Sequence, residues 1–384
     1  MTGEIRTSSS NVPDLHGFYE GLPIRSMGSR VNIPLEGATL LTSVRASLSA
    51  IPPVLKGFPS SFDWDFFLRL ARHHRLEPLL CYGLRNSRFA GMPTEIRAEW
   101  EARRRTSIAT ALYYQETLRE IATAFADRSL PFVVLKGEAL SKAFYPQEGL
   151  RPYGDIDLLI RPESYELAKA VLIGLGFRLR QADNEAEKRR LFGEIEFDKE
   201  SPVALKVDLH WDTLMTSWEP QSLLSDDGTW ASLDQAPLGS NTIPILKGEV
   251  LLIYLCVHFA FHHAFDGLIL LCDLFLVLRR DAEKTDWDRL IAMANRCQCR
   301  HALYWSLYLV KSLMAAPVPD SVLDRLRPNV LTLALMPTTR LLFRDSLVSQ
   351  SLERYVKFLL IDTPKGRWRA LQAWFRSSKR LIGR

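Results

Sequence analysis

Three aspartates at strand-like positions are the residues best suited to chemistry. Asp155 and Asp157 stand one residue apart in "GDIDLLI", and Asp208 follows in "LKVDLHW". Alternation along a strand puts Asp155 and Asp157 on one face, and it puts Lys206, Asp208 and His210 together on one face of the later strand. Close carboxylates repel each other where solvation is poor, and a divalent cation relieves that repulsion; three hard oxygen donors suit Mg²⁺. If the strands are neighbours, the sequence predicts a three-carboxylate metal site. There we expect His210 to act as a proton carrier or to contact a phosphate, or else to orient Asp208 or cap the sheet.

A glycine turn lies upstream of the aspartate pair, in "VLKGEAL". Gly137 lets the backbone approach a ligand closely, and the helix expected after it begins with unpaired N–H groups that attract phosphate oxygens. Lys136 and Ser141 are close enough in sequence to assist. The turn is therefore a predicted phosphate-binding element.

The elements around these residues define the fold class. Strand-like runs gather between about residues 131 and 211, in the order strand, helix, strand, helix, strand, strand. Helical patterns dominate the rest of the 384 residues, of which 47% are hydrophobic. We therefore expect an α+β protein with a small mixed sheet flanked by helical regions. The predicted divisions are a flexible tail (1–40), an N-terminal helical region (41–126), a core (127–215), a connecting segment rich in Pro and Gly (216–248) and a C-terminal helical domain (249–384).

Composition limits the expected cellular compartment and the expected binding partners. A net charge of +5 permits a phosphate-bearing partner without favouring nucleic acid. Five cysteines do not indicate a disulfide framework, and the first residues lack the apolar core of a secretory signal, so we expect the cytoplasm. The apolar stretch from Val250 is interrupted by histidines and aspartates, which favours a buried helix pair over a membrane span.

The order of these motifs resembles the nucleotidyltransferase fold of the DNA polymerase beta superfamily. More closely, "VLKGEAL", "GLRPYGDIDLLI" and "VDLHW" resemble a bacterial family of uncharacterised nucleotidyltransferases. The helical "DWDFFLRLARHHRLEPLL" before them, with "HFAFH" and "LLCDL" after them, is similar to that family's flanking helices. The resemblance extends over about residues 45–315.

The resemblance implies a role for each motif residue. Asp155 and Asp157 would hold two Mg²⁺ ions, or Mn²⁺, on the triphosphate of an NTP. Asp208 would hold the ion nearer the acceptor and help to deprotonate it. Gly137 and neighbouring amides would cradle phosphates, with Lys136 or Arg151 neutralising charge.

The implied reaction moves a nucleoside monophosphate to a hydroxyl or amine of an unidentified acceptor, by two-metal in-line displacement. A small molecule, a sugar or a peptide of a biosynthetic pathway would fit as acceptor. Two alternatives stay open: a non-catalytic nucleotide-binding or regulatory protein, and a toxin-like transferase acting on tRNA or protein. Glu138 motivates the first, because the superfamily usually has Gly-Gly or Gly-Ser at Lys136-Gly137 and an inward-pointing Glu138 would repel phosphate.

Three further features carry weaker predictions. His258 and His262 are four residues apart on a predicted helix, which fits residues lining the cleft or, with less support, a metal pair. Cys297, Cys299 and His301 lack the spacing of a zinc site. The basic C-terminal "KGRWRALQAWFRSSKRLIGR" is expected to be a terminal helix that docks on the protein, on another protein, on RNA or on an anionic surface.

Overall fold

A computed structural model describes residues 33–49, 61–84, 93–180, 185–186, 189, 193–200, 203–212, 227–337 and 341–372. Its strands are β1 (Phe132–Val134), β2 (Ile156–Ile160), β3 (Arg178–Leu179), β4 (Glu194–Lys199), β5 (Leu205–His210), β6 (Asp234–Leu238) and β7 (Asn241–Ile245).

Helices lie before, between and after the strands in the chain. Before β1 lie α1 (Leu35–Ser49), α2 (Trp64–His73), α3 (Glu77–Leu84) and α4 (Thr94–Ala126). Among the strands lie α5 (Glu138–Phe144), α6 (Tyr165–Gly174) and α7 (Asp227–Ala231). After β7 come α8 (Gly248–Val257), α9 (Leu268–Asp281), α10 (Trp287–Arg296), α11 (Arg300–Met314), α12 (Asp320–Leu326), α13 (Val330–Leu335) and α14 (Gln350–Leu360). Short 3₁₀ turns cover Pro162–Ser164 and Ala282–Lys284, a π-helix covers His258–His262, and residues 364–372 are helical.

The seven strands form one mixed sheet in the order β3-β4-β5-β2-β1-β7-β6. Strand β2 pairs antiparallel with β1 and parallel with β5, and the second pairing sets Asp157 directly opposite Asp208. Neighbouring parallel strands at this register present both side chains on the same face of the sheet. The predicted α+β class is confirmed, as is the adjacency of the two aspartate-bearing strands.

Two expectations about the chain's course need correction. Strands were expected only between about residues 131 and 211, yet β6 and β7 lie within the predicted connecting segment and extend the sheet beside β1 through the pair Val134–Ile245. Pro237 in β6 and Pro244 in β7 weakened the strand signal of the sequence, and β6 tolerates the missing N–H of Pro237 because it is the outermost strand. Residues 35–40, assigned to the flexible tail, begin α1 and include the fully buried Leu40.

The sheet separates two hydrophobic cores. One face packs on the second half of α4 and on α6, with Leu118, Ile121 and Phe125 among the buried residues. The other face contributes Val133, Leu135 and Leu159 to a larger core built from α1–α3 and the C-terminal helices. Asp157 shares the face of Leu159, so the candidate site lies where the sheet meets the helical layer.

Helices α8 and α9 form the buried pair expected in the apolar stretch, and every residue from Val250 to Val257 is buried. Within the described residues, no helix combines the length and apolarity required to cross a bilayer. All five cysteines are buried and none of them forms a disulfide; they are Cys81, Cys256, Cys272, Cys297 and Cys299.

Candidate active site

Strand pairing and one tyrosine fix the carboxylates. Asp157 lies inside β2, whereas Asp155 immediately precedes that strand. Tyr114 of α4 donates its hydroxyl to the carbonyl oxygen of Gly154 at 2.7 Å and lies 3.1 Å from that of Ala204. Gly154 immediately precedes Asp155, and Ala204 immediately precedes β5. The Tyr114 side chain therefore holds the starts of both aspartate-bearing segments.

Asp157 is the centre of a buried polar cluster. One of its oxygens, Oδ1, lies 2.8 Å from Lys136 Nζ and 3.1 Å from His210 Nε2. The other ring nitrogen of His210 lies 3.1 Å from Glu194 Oε2. The second carboxylate oxygen of Asp157, Oδ2, is buried and has no hydrogen-bond partner. A buried carboxylate oxygen is costly without a partner, so this atom is suited to a cation.

Asp208 and His210 complete a group with Asp157 whose potential ligand atoms all lie within 4.8 Å of one another. The sequence predicted a cluster of three carboxylates; in the structure Asp155 is outside this compact group and instead lines an adjoining cavity. The two carboxylates fit a divalent ion, and the unpartnered Oδ2 of Asp157 supports that fit.

The acids titrate differently because their surroundings differ. Burial opposes ionisation of Asp157, but the Lys136 ammonium and the hydrogen bond from His210 outweigh it and hold the pKa of Asp157 below its usual range. Repulsion from Asp157, followed by burial, raises the pKa of Asp155. Burial, then repulsion from Asp157, raises the pKa of Asp208 to about 7.

His210 lies between two carboxylates. Burial alone would lower its pKa, but the hydrogen bond to Asp157 and the charge of Glu194 raise it. Both ring nitrogens can donate only when the imidazole is protonated, and each faces a carboxylate here. His210 thus orients Asp157, whereas the sequence analysis had linked it to Asp208 or to a ligand.

Gly137 makes the turn that the sequence predicted. Its φ of +56° and ψ of −109° lie where side chains are disfavoured, and the next residue begins α5. Glu138 points away from the adjoining cavity: it is buried, and its carboxylate accepts a hydrogen bond from the Tyr153 hydroxyl. Burial raises the pKa of Glu138, and the hydrogen bond from Tyr153 opposes that rise. Ser141, predicted to assist phosphate binding, is buried on α5 and does not line the cavity.

A cavity of about 210 Å³ opens beside the carboxylates. Lys136, Gly137 and Asp155 line one side of it. The other walls come from the ends of α2 and α8, from the segment before α9 and from the segment before β2; their residues include His73, His74, Arg75, Arg151, His258, His263 and Asp266. A second cavity, of about 440 Å³, adjoins it and shares Arg75, Arg151, Pro152 and Tyr153.

The histidine wall differs from the expectation. His258 lines the cavity and stacks on His262 with ring centroids 5.1 Å apart, whereas His262 itself is not a lining residue. Within the described residues, this pair belongs to no group of three potential metal ligands. Sequence reasoning missed His73, His74 and Asp266, which do form such a group, with His73 Nε2 2.7 Å from Asp266 Oδ1. Consecutive histidines in "RHHR" were the available signal.

Arg151 has a protein partner. Its guanidinium contacts both oxygens of Asp273 at 2.8 Å, and Tyr145 donates its hydroxyl to the same carboxylate at 2.7 Å. The predicted phosphate contact therefore has its charge already compensated by an acid from α9. This pair fastens the segment that leads to Asp155 onto the C-terminal helical layer.

The remaining predicted features are peripheral. Cys297 and Cys299 are buried and form no disulfide, and within the described residues they join no group of potential metal ligands. The basic terminal segment is helical over residues 364–372, with Trp368 62% exposed, and residues 373–384 lie outside the described part.

A mixed sheet that brings carboxylates from two neighbouring strands beside a glycine turn is the architecture expected of a nucleotidyltransferase. Comparison with family models agrees: the family described as uncharacterised nucleotidyltransferase matches residues 60–315. The chain belongs to this family, which confirms the resemblance and supports nucleotidyl transfer as its general activity. A comparison with curated proteins finds no match.

Proposed function

We propose that this protein is a Mg²⁺-dependent nucleotidyltransferase that moves a nucleoside monophosphate from an NTP to a hydroxyl or amine of an acceptor. The observation that carries the proposal is the buried, unpartnered Oδ2 of Asp157 beside Asp208. Such an atom favours a bound cation. The family match independently supports the transfer of a nucleotidyl group.

In this proposal Asp157 and Asp208 hold Mg²⁺, with Asp155 contributing from the cavity side. The bound ion would supply Lewis-acid stabilisation of the phosphate charge. Lys136 and His210 keep Asp157 ionised and fixed in direction, because both lie on its other oxygen. Gly137 allows the backbone to approach the phosphates without a side chain in the way.

The reaction exchanges one bond for another. The acceptor oxygen or nitrogen forms a bond to the α-phosphorus, and the bond from that phosphorus to the bridging oxygen of pyrophosphate breaks. Asp208, which faces the acceptor side of the site in this proposal, takes the acceptor's proton as the general base. Pyrophosphate leaves with the electron pair of the broken bond.

Calorimetric titration of ATP, CTP, GTP and UTP, with and without Mg²⁺, tests the proposal. We expect Mg²⁺-dependent binding of at least one NTP by the wild type and its loss in Asp157→Asn. Asp198→Asn is the matched control, because Asp198 is also a sheet aspartate but lies on β4 and is only half-buried. Absence of Mg²⁺-dependent binding in the folded wild type would refute the proposal.

One observation favours a second candidate, a nucleotide-binding protein without turnover. Lys136 and His210 already compensate the charge of Asp157, so the cluster is electrostatically satisfied in part without a metal. Release of labelled pyrophosphate separates the two candidates when potential acceptors are supplied. Tight NTP binding with no pyrophosphate release from any hydroxyl or amine acceptor would favour the binding protein.

A further inference from the structure

Arg75 occupies an unusual backbone position at the end of α2. Its φ is +57°, in the left-handed region that favours glycine. The Leu76 amide donates to Ala71 O at 2.9 Å and the Arg75 amide donates to Arg72 O at 3.0 Å, which together form a Schellman helix end. Glycine is the usual residue at this position of the motif, so the backbone conformation disfavours an arginine here.

Arg75 is exposed and lies where the two cavities meet. It lines the 210 Å³ cavity with Lys136, Gly137 and Asp155, and it also lines the 440 Å³ cavity beside it. Repulsion from Asp157 raises the pKa of the Asp155 carboxyl, and the positive charge of Arg75, after those of Lys136 and Arg151, opposes that rise. Arg75 therefore faces the same space as the glycine turn and the first aspartate.

The other lysine and arginine residues of these walls are already paired. Lys136 Nζ lies 2.8 Å from Asp157, and Arg151 is bidentate on Asp273. Arg72 and Arg103, in the wider cavity, each lie within 3.0 Å of Glu99. The Arg75 guanidinium has no hydrogen bond or ion pair within the described parts of the chain, so its charge remains available to a ligand.

We propose that the Arg75 guanidinium binds a phosphate group of the NTP in the 210 Å³ cavity. The inference rests on the proposed function and adds to it a binding residue from outside the sheet. A guanidinium offers a planar fork of donors that matches a phosphate, and it is charged at every physiological pH. Arg75 thus takes the part that the sequence suggested for Arg151, and the N-terminal helical region takes part in substrate binding.

The backbone position provides a discriminating test. Arg75→Gly removes the charge and at the same time installs the residue that the Schellman motif favours. We expect this variant to melt no lower than the wild type and to bind Mg²⁺-NTP roughly tenfold to a hundredfold more weakly, as expected for loss of a hydrogen bond to a charged group. Binding by the variant should also depend less on salt concentration.

Gln298→Gly is the matched control. Gln298 is exposed, has a φ of +55° and ends α10 with the same pair of bonds, Cys299 N to Ala294 O at 3.0 Å and Gln298 N to Asn295 O at 3.2 Å. It lines neither cavity, so its variant should keep the wild-type affinity for NTP. Arg75→Gln removes the charge and retains the backbone strain. It tests the role of the charge even if the glycine variant alters the fold.

The outcomes distinguish a failure of this inference from a failure of the proposed function. Wild-type affinity in both Arg75 variants, alongside Mg²⁺-dependent NTP binding by the wild type, would overturn the role of Arg75 and leave the proposed function standing. No NTP binding by the wild type would overturn both. Weakened binding in both Arg75 variants, with an unchanged Gln298→Gly control, would support the inference.

Discussion

The ion pair between Arg151 and Asp273 gives the sharpest stability prediction. The residues are 5% and 1% exposed and are joined by two contacts of 2.8 Å. Replacing Asp273 with leucine leaves the guanidinium buried without its partner and takes the acceptor from the Tyr145 hydroxyl. Breaking one side of such a pair costs about 3–5 kcal/mol, because an uncompensated charge stays in a poorly solvated place.

Urea unfolding followed by tryptophan fluorescence measures the effect. We expect Asp273→Leu to lower the free energy of unfolding by about 3–5 kcal/mol with little change in the dependence on urea. The double variant Arg151→Met, Asp273→Leu removes both charges and should recover part of the loss, with a coupling of about 1–3 kcal/mol. Replacing a buried pair by apolar side chains is often neutral.

The reasoning fails if the single variant loses less than about 1 kcal/mol, since that would mean that water or another group solvates Arg151. It also fails if the two substitutions are additive, because the arginine and the aspartate would then not act as a unit. Tyr145→Phe is a useful third variant: it removes one hydrogen bond and leaves the pair, so about 1–2 kcal/mol is expected.

Three shorter predictions concern the same region. Gly137→Ala should lower the free energy of unfolding by about 1–2 kcal/mol because of the positive φ of Gly137. Gly174→Ala, at the last residue of α6 with open space around it, should raise the free energy of unfolding; equal effects of the two substitutions in urea titrations would contradict this. Tyr114→Phe should lower it by about 1–2 kcal/mol through loss of the bonds to Gly154 and Ala204, and an unchanged urea midpoint would exclude that role. Burial, aided by His73, lowers the pKa of His74 from 6.5 to about 4, so neutral His74 contributes stability above pH 6.5 that is lost as the pH falls towards 4, by up to about 3 kcal/mol. His74→Gln should flatten the pH dependence of thermal melting in that window, and an unaltered curve would argue against this histidine.

Local patterns predicted the chemistry-bearing strands well. The spacing of Asp155 and Asp157, the glycine turn and the alternation around Asp208 are set within a few residues of each motif, and strand periodicity translates them directly into faces. The pairing of Asp157 with Asp208 needed only one further assumption, that the two strands are neighbours. That assumption is confirmed by the sheet.

Other features that depend on contacts between residues far apart in the sequence were not predicted. Sequence patterns assigned Arg151 to a phosphate. They did not indicate its pairing with Asp273, because Asp273 is 122 residues away and belongs to a helix of the C-terminal layer. Glu138 was a possible obstacle until the fold placed the Tyr153 hydroxyl against it. The left-handed backbone of Arg75 gives no sequence signal, since glycine is the usual mark of that conformation. Proline hid β6 because edge strands tolerate it and sequence patterns do not reveal which strand is outermost.

The buried cysteines have a practical consequence. Burial raises the pKa of the thiols of Cys256, Cys272 and Cys299, so these side chains are neither accessible nor ionised in the folded protein. A thiol reagent can therefore react with them only when the helical layer opens. Cys272 adjoins Asp273 in α9, so the rate at which its sulfur is labelled would report how often the contact between Asp273 and the segment that leads to Asp155 opens.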